Sequence, residues 1–313
     1  MKVTLDLDRL LEDGQITPEE HARFSELASR DTASLALNIL VAFGVIAVAG
    51  GAVALAASAV VSVGLGAAVG IAGIVLGRAD GSRWRPLAVI LLLIGALTFG
   101  GGVVALTEGS AAGFVLLCAA FGVSAVLAAS GLLASLSALA LLAASGGATG
   151  YSHAAYFLGI EQPLLTVVLF GLLGLGAHQL AGILPHETAR LATIFSRTCL
   201  FIVNLGFWIG SLWGDPLSLL RDPLDLRAGT YVPDGFFAFV WAVGLVAAGV
   251  WATRHNLRWW VNLVAVFGAI HFYTQYFEHL GASPATVLAA GVVALALAAS
   301  MLRYNHRVAP TAG

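Results

Sequence analysis

The stretch Ser34–Gly77, SLALNILVAFGVIAVAGGAVALAASAVVSVGLGAAVGIAGIVLG, contains no charged residue and decides the class of this protein. As one helix its 44 residues would extend about 66 Å, roughly twice the ~30 Å hydrocarbon core of a bilayer. The stretch therefore predicts two membrane spans. Ala111–Thr149 is also free of charge, and Ser130-Gly131 is the expected reversal between two further spans.

The composition of the whole chain agrees with a membrane protein. Hydrophobic residues make up 59% of the 313 residues and charged residues 10%, and the mean hydropathy is +0.92. This leaves too little polar surface to cover a soluble globule of that size. The net charge of −2 argues against nucleic acid as a partner, because phosphate binding needs clustered positive charge. The expected partner is the lipid bilayer.

Three regions follow from the change in composition along the chain. Residues 1–33 predict a short soluble helical hairpin, with Thr17 as the N-cap of its second helix. Residues 34–149 predict a Gly- and Ala-rich membrane half with about five spans, and residues 150–313 a second half with about five more. The predicted fold is all-α, a polytopic membrane helical bundle with about ten transmembrane helices. The expected spans are 34–56, 59–77, 86–106, 111–129, 132–149, 163–184, 192–213, 235–253, 259–279 and 284–302.

The distribution of arginine predicts the orientation of these spans. With the N-terminus inside, the inner loops and tail hold nine arginines and the outer loops hold two. The inner nine are Arg30, Arg78, Arg83, Arg85, Arg190, Arg254, Arg258, Arg303 and Arg307. Because inner loops are enriched in Lys and Arg, we expect a multi-pass protein of the bacterial inner membrane with both termini cytoplasmic. The longest outer loop, Gly214–Pro233, is expected to be a solvated connector.

Glycine spacing on the second predicted span indicates how helices pack. Gly66-x-x-x-Gly70 and Gly73-x-x-x-Gly77 each place two glycines on one helix face. Because glycine exposes the backbone, these pairs predict close contact with a neighbouring helix.

Polar side chains at membrane depth concentrate in the sixth, seventh and ninth predicted spans. Counted from the cytoplasmic ends at 1.5 Å per residue, His178 lies about 10 Å deep and Arg197 about 8 Å. On the same count Asn204 and His271 both lie about 18 Å deep, near the midplane. These depths predict one polar track through the second half of the chain.

The ninth predicted span carries a polar stripe. His271, Gln275 and Glu278 follow an i, i+4, i+7 spacing, which places all three on one helix face. Tyr273 and Tyr276 lie beside the stripe and are expected to form an aromatic lining at interfacial height. The stripe extends from the membrane centre towards the outer surface.

Two functions are compatible with these polar residues. The first hypothesis is a small-solute or ion permease, because a histidine and a partly desolvated glutamate can relay protons or bind a substrate. Its predicted path consists of His178, Arg197, Asn204, His271, Gln275 and Glu278. The same side chains could instead hydrogen-bond between helices for about 0.6 kcal/mol each. The second hypothesis is then a non-transporting membrane module that recruits a protein partner through its N-terminal hairpin.

No pattern typical of an enzyme is visible in the sequence. H-E-x-x-H is absent, and no glycine-rich phosphate loop follows a strand, since no strand is expected. Ser152 and His153 are adjacent, but sequence neighbours rarely form a nucleophile and its base. His178 and His271 differ by about 8 Å in depth, which does not suit ligation of one haem iron. We therefore expect no catalytic site, no metal and no cofactor.

Two segments resemble a bacterial protein family. Gly268–Gly281, GAIHFYTQYFEHLG, and Asp13–Glu20, DGQITPEE, are similar to the DUF2157 family of multi-span membrane proteins of unknown function. That family has an aromatic-rich F-Y-x-x-Y-F segment before the final span and begins with a short helical hairpin. The resemblance implies the same architecture for this chain. It also marks four positions for mutation: Tyr273, Tyr276, Phe277 and Glu278.

Overall fold

The computed structural model of the chain describes residues 58–79, 84–152, 155–217, 231–281 and 283–289. It also describes short pieces between 10 and 24 and scattered positions at 44–51 and 291–299. The first predicted span, 34–56, lies almost wholly outside the described residues, and the tenth, 284–302, is described only in part.

The chain divides into two compact units, Met1–Leu133 and Ala134–Gly313. In the first unit the helices are α1 (Ala59–Arg78), α2 (Arg85–Leu106) and α3 (Ala111–Leu127). The predicted boundary between the membrane halves, at residues 149 and 150, falls in the second unit and stays a prediction.

Helices α1 and α2 pack closely because glycines lie at their contact. A Cβ added at Gly66 would collide with the backbone of Phe99, and one at Gly95 would collide with the backbone of Gly70. A Cβ at Gly73 would stand 2.9 Å from a backbone nitrogen of α2. The predicted use of glycine for close helix packing is confirmed at these positions.

The chain passes into the second unit through α4 (Gly131–Ala144). Two strands and four helices follow: β1 (Gly147–Ser152), β2 (Ala155–Ile160), α5 (Pro163–Ala181), α6 (His186–Trp213), α7 (Asp234–Arg254) and α8 (Arg258–Leu280). Helix α5 packs along α6, and α6 also contacts α7 and α8. The buried centre between α4, α5 and α6 consists of Ala138, Leu142, Phe170, Cys199 and Ile202.

The two strands correct the all-α prediction. They pair antiparallel along their whole length. Gly146 terminates α4 with a φ of +89°, a left-handed conformation that favours glycine. The predicted fifth span, 132–149, is therefore a 14-residue helix followed by the start of β1. Ser152 also lies in β1.

In the described part of the chain, five helices are long and apolar enough to cross a membrane: α1, α2, α5, α6 and α7. Helices α3 and α4 are apolar but shorter, with 17 and 14 residues. Helix α8 has 23 residues, but polar side chains such as His271 and Gln275 lower its mean hydropathy, and it is not among the five. The chain is thus a mostly helical protein with the apolar helices of a membrane protein. The ten-span count stays a prediction.

The outward faces of these helices carry large apolar side chains. Ile71, Leu97, Leu172 and Val246 are each about 60% exposed or more. Exposed apolar surface along entire helices is typical of contact with lipid, whereas soluble proteins cover most of it.

In the N-terminal segment Thr17 caps a helix as predicted. Its Oγ1 accepts the backbone N–H of Glu20 at 3.2 Å, and the Glu20 carboxylate accepts the backbone N–H of Thr17 at 2.8 Å. The hydrogen bond from the backbone N–H of Thr17 is the main cause that lowers the pKa of the Glu20 carboxyl, and the hydrogen bond from the Thr17 hydroxyl is the second. Most of the first helix of the predicted hairpin lies outside the described residues, so the hairpin stays a prediction.

Candidate functional site

Helices α6, α7 and α8 meet around a buried aromatic centre. Trp241, Leu245 and Phe267 form its buried part. The rings of Phe207 and Trp241 are stacked, with centroids 6.5 Å apart and an interplanar angle of 4°. Large rings packed in this way have few alternative rotamers, so they fix the position of the polar groups beside them.

Asn204 links α6 to α7 within this centre. Its Oδ1 accepts the indole N–H of Trp241 at 2.9 Å, and its Nδ2 donates to the carbonyl of Leu200 at 2.8 Å. The side chain is buried, and both ends of its amide have partners. Asn204 thus forms an interhelical contact, as the second hypothesis predicts for it.

His271 of α8 also contacts the ring of Trp241. The centroids of the His271 and Trp241 rings are 4.9 Å apart, with an interplanar angle of 75°. His271 Nδ1 is buried and has no hydrogen-bond partner among the described residues. The indole N–H of Trp241 is already directed to Asn204, so it is not available to the imidazole.

The next turn of α8 is bonded to α6. The indole N–H of Trp208 donates to Thr274 Oγ1 at 3.0 Å. Gln275 Nε2 lies 3.5 Å from the carbonyl oxygen of Ser211, at the long limit for a hydrogen bond. We call Asn204, Trp208, Trp241, His271 and Thr274 the polar cluster. Of its buried side-chain nitrogen and oxygen atoms, His271 Nδ1 is the one that has no partner in the part of the chain that the structure describes.

The outer end of the predicted stripe is arranged differently. Glu278 is exposed. Tyr273 stacks on Phe277 of the same helix at 5.9 Å, and Tyr276 contacts Phe272 at 5.3 Å. Both tyrosines are half-buried in these pairs along α8. These two ring contacts lie within α8, and the predicted aromatic lining stays a prediction.

Arg197 and His178 lie apart from the polar cluster. Arg197 is exposed, and its guanidinium carbon lies 4.9 Å from the centroid of the Trp259 ring, a cation–π contact. His178 is exposed near the end of α5. Neither side chain hydrogen-bonds to Asn204 or His271 in the described part of the chain.

A cavity of about 180 Å³ lies beside the polar cluster. Asn204 and Trp241 contribute to its wall, and the remaining wall comes mainly from apolar side chains of α6, α7 and α8, such as Leu200 and Leu263. A cavity of this volume can hold water or a small ligand next to a few polar groups.

Two tryptophans of the cluster, Trp208 and Trp241, were not predicted as site residues. The signal for them was present in the sequence, because a tryptophan inside a span has an N–H that needs an acceptor. Asn204 and Thr274 are those acceptors.

Asp215 is a second feature that the sequence did not reveal. The loop that contains it was expected to be solvated, yet Asp215 is 1% exposed. Its Oδ2 accepts the N–H of Leu164 in the first turn of α5, and its Oδ1 accepts the N–H of Leu217, both at 2.7 Å. The carboxylate therefore caps α5 at the positive end of its dipole. The middle of this loop, residues 218–230, lies outside the described residues.

The described residues contain no group of three or more His, Cys, Asp or Glu side chains that could hold a metal ion. Cys118 and Cys199 are not joined in a disulfide, and Cys199 is buried in the α4–α6 centre.

No family model matches this chain, and no curated protein or solved structure matches it either. The resemblance to DUF2157 proteins rests on the two quoted segments and stays a prediction.

Proposed function

We propose that the protein is a small-solute or ion permease whose central polar residue is His271. One observation carries this proposal: His271 Nδ1 is buried without a partner among the described residues, while Asn204 and Thr274 beside it are hydrogen-bonded. An ionisable side chain at membrane depth is costly and is by default a functional residue.

The chemistry of an unpaired imidazole supports this role. One ring nitrogen of an imidazole can accept a hydrogen bond from a solute or take up a proton. Trp241 holds one side of the ring, so the imidazole is positioned without its nitrogen being used. Such a group can bind and release a polar solute without breaking a bond to the protein.

The arrangement in the membrane is part of the proposal. The nine-to-two distribution of arginine supports about ten spans in a bacterial inner membrane, with both termini cytoplasmic. The closely packed pair α1 and α2 would then be scaffold, and α6, α7 and α8 would carry the path. Lipid is the surrounding partner in this arrangement.

A second candidate function has its own supporting observation. Asn204 and Thr274 are bound to tryptophans of neighbouring helices, and the cavity beside Asn204 is largely apolar. This is the pattern of polar groups that hold helices together. It favours a non-transporting membrane module that recruits a protein through its N-terminal segment.

His271→Phe separates the two functions. The ring shape is kept and the nitrogens are lost, so replacing an unpaired polar group should leave the melting temperature unchanged or higher. We expect proton flux into proteoliposomes, followed with an internal pH-sensitive dye, to fall at least tenfold in this variant.

The matched control is His255→Phe. His255 is exposed at the end of α7, and its Nδ1 lies 2.9 Å from the Trp251 carbonyl of its own helix. This variant should conduct like the wild type. Unchanged flux in His271→Phe together with a lower melting temperature would instead favour the membrane module.

A further inference from the structure

A groove of about 550 Å³ follows helices α7 and α8 and reaches Arg254 at the end of α7. Its walls are mostly apolar, with side chains such as Leu245, Val246, Val250 and Val264. Gly249 and Gly268 line it from the two helices. A Cβ added at Gly268 would meet nothing within 4 Å, so this glycine leaves the groove open.

The end of the groove at Arg254 is positively charged. Arg254 is exposed and forms no ion pair with a described residue. Residues 235–277 contain two arginines, Arg254 and Arg258, and no Asp or Glu. No acidic side chain of α7 or α8 therefore competes for Arg254 near this turn.

Tryptophans lie on both sides of the turn between α7 and α8, and they indicate that this turn is at the level of the membrane surface. Trp251 and Trp260 meet edge to face at 5.4 Å across the turn. Trp259 holds the guanidinium of Arg197 from α6 at 4.9 Å, which brings a third arginine to this end. Tryptophan and arginine at the ends of apolar helices are typical of the headgroup region.

We propose that this groove binds an anionic phospholipid, with its phosphate at Arg254 and one acyl chain between α7 and α8. From Leu245 to Arg254 the groove extends about 14 Å, close to the ~15 Å depth of one leaflet. An apolar groove of leaflet depth that ends at Arg254, which forms no ion pair with a described residue, matches a chain joined to an anionic headgroup. The lipid contacts Arg254, whose charge supplies selectivity for anionic lipid over zwitterionic lipid.

The test uses the full chain in neutral detergent, with thermal unfolding followed during lipid titration. Phosphatidylglycerol should raise the melting temperature, and phosphatidylcholine with the same chains should raise it much less. Arg254→Gln should weaken the apparent affinity for phosphatidylglycerol about fivefold, since one arginine near a headgroup contributes about 1 kcal/mol. Gly268→Leu should abolish the stabilisation, because its side chain fills the groove.

Two matched controls make the same kinds of substitution at positions outside the groove. Arg85→Gln removes one exposed positive charge at the start of α2, and Gly176→Leu adds a side chain at a glycine of α5 whose Cβ would meet nothing within 4 Å. Both should respond to phosphatidylglycerol like the wild type. Equal stabilisation by phosphatidylcholine, a wild-type response in Arg254→Gln, or the same shift with inorganic phosphate alone would overturn the proposal.

Discussion

Gly66→Ala is expected to destabilise the protein by about 1–3 kcal/mol, the usual cost of overpacking a closed contact. The added methyl would collide with the backbone of Phe99 on α2. A backbone atom cannot turn away as the end of a flexible side chain can, so the two helices must separate. Thermal unfolding of the detergent-solubilised protein measures the effect.

Gly64→Ala is the matched control for this prediction, because it lies on the same helix and a Cβ there would meet nothing within 4 Å. Alanine is the better helix former, so this variant should be neutral or slightly stabilised. Equal melting temperatures for Gly66→Ala and Gly64→Ala would mean that α1 and α2 do not pack through Gly66.

Asp215→Ala is expected to cost about 3 kcal/mol or more. The variant leaves the partly buried N–H groups of Leu164 and Leu217 without their acceptor, and hydrogen bonds to a charged group contribute about 1.5–3 kcal/mol each. It also removes negative charge from the start of α5. The loss should appear as a lower melting temperature and as faster proteolysis around the 214–217 loop.

Asp215→Asn keeps one acceptor oxygen and should fall between the wild type and Asp215→Ala. Asp234→Asn changes an exposed aspartate in the first turn of α7 and should stay within about 0.5 kcal/mol of the wild type. If Asp215→Ala were as stable as Asp234→Asn, the carboxylate would not be capping α5.

The features that the sequence predicted well are those encoded locally. A charge-free run longer than a bilayer and glycines four residues apart can both be read within one segment, and α1 and its close packing follow from them. The Thr17–Glu20 cap is likewise a contact across three residues. The i, i+4, i+7 spacing on α8 also places His271 and Gln275 on one face, which the structure directs towards α6 and α7.

The features that were missed depend on residues distant in the chain. Asp215 is buried because Leu164, 51 residues earlier, offers it an N–H. Counting residues along the predicted span gave the depth of Arg197 in the membrane but not the direction of its side chain. The long side chain turns outward and contacts Trp259.

The β-hairpin was missed for another reason. Ala-, Gly- and Leu-rich sequence has no period that separates a buried helix from a strand, so the apolar run through residue 149 looked like one span. Gly146, which ends α4 with a left-handed conformation, was the local signal for the change.

The accessibility of position 271 to a small hydrophilic reagent tests the permease proposal most directly. In a background of Cys118→Ala and Cys199→Ala, His271→Cys should react with a small cationic methanethiosulfonate in proteoliposomes, because a path for polar solutes must reach it. Phe267→Cys, one turn earlier and 1% exposed in the wild type, should not react. If His271→Cys proved as unreactive as Phe267→Cys, position 271 would be closed to solutes and the permease account would be contradicted.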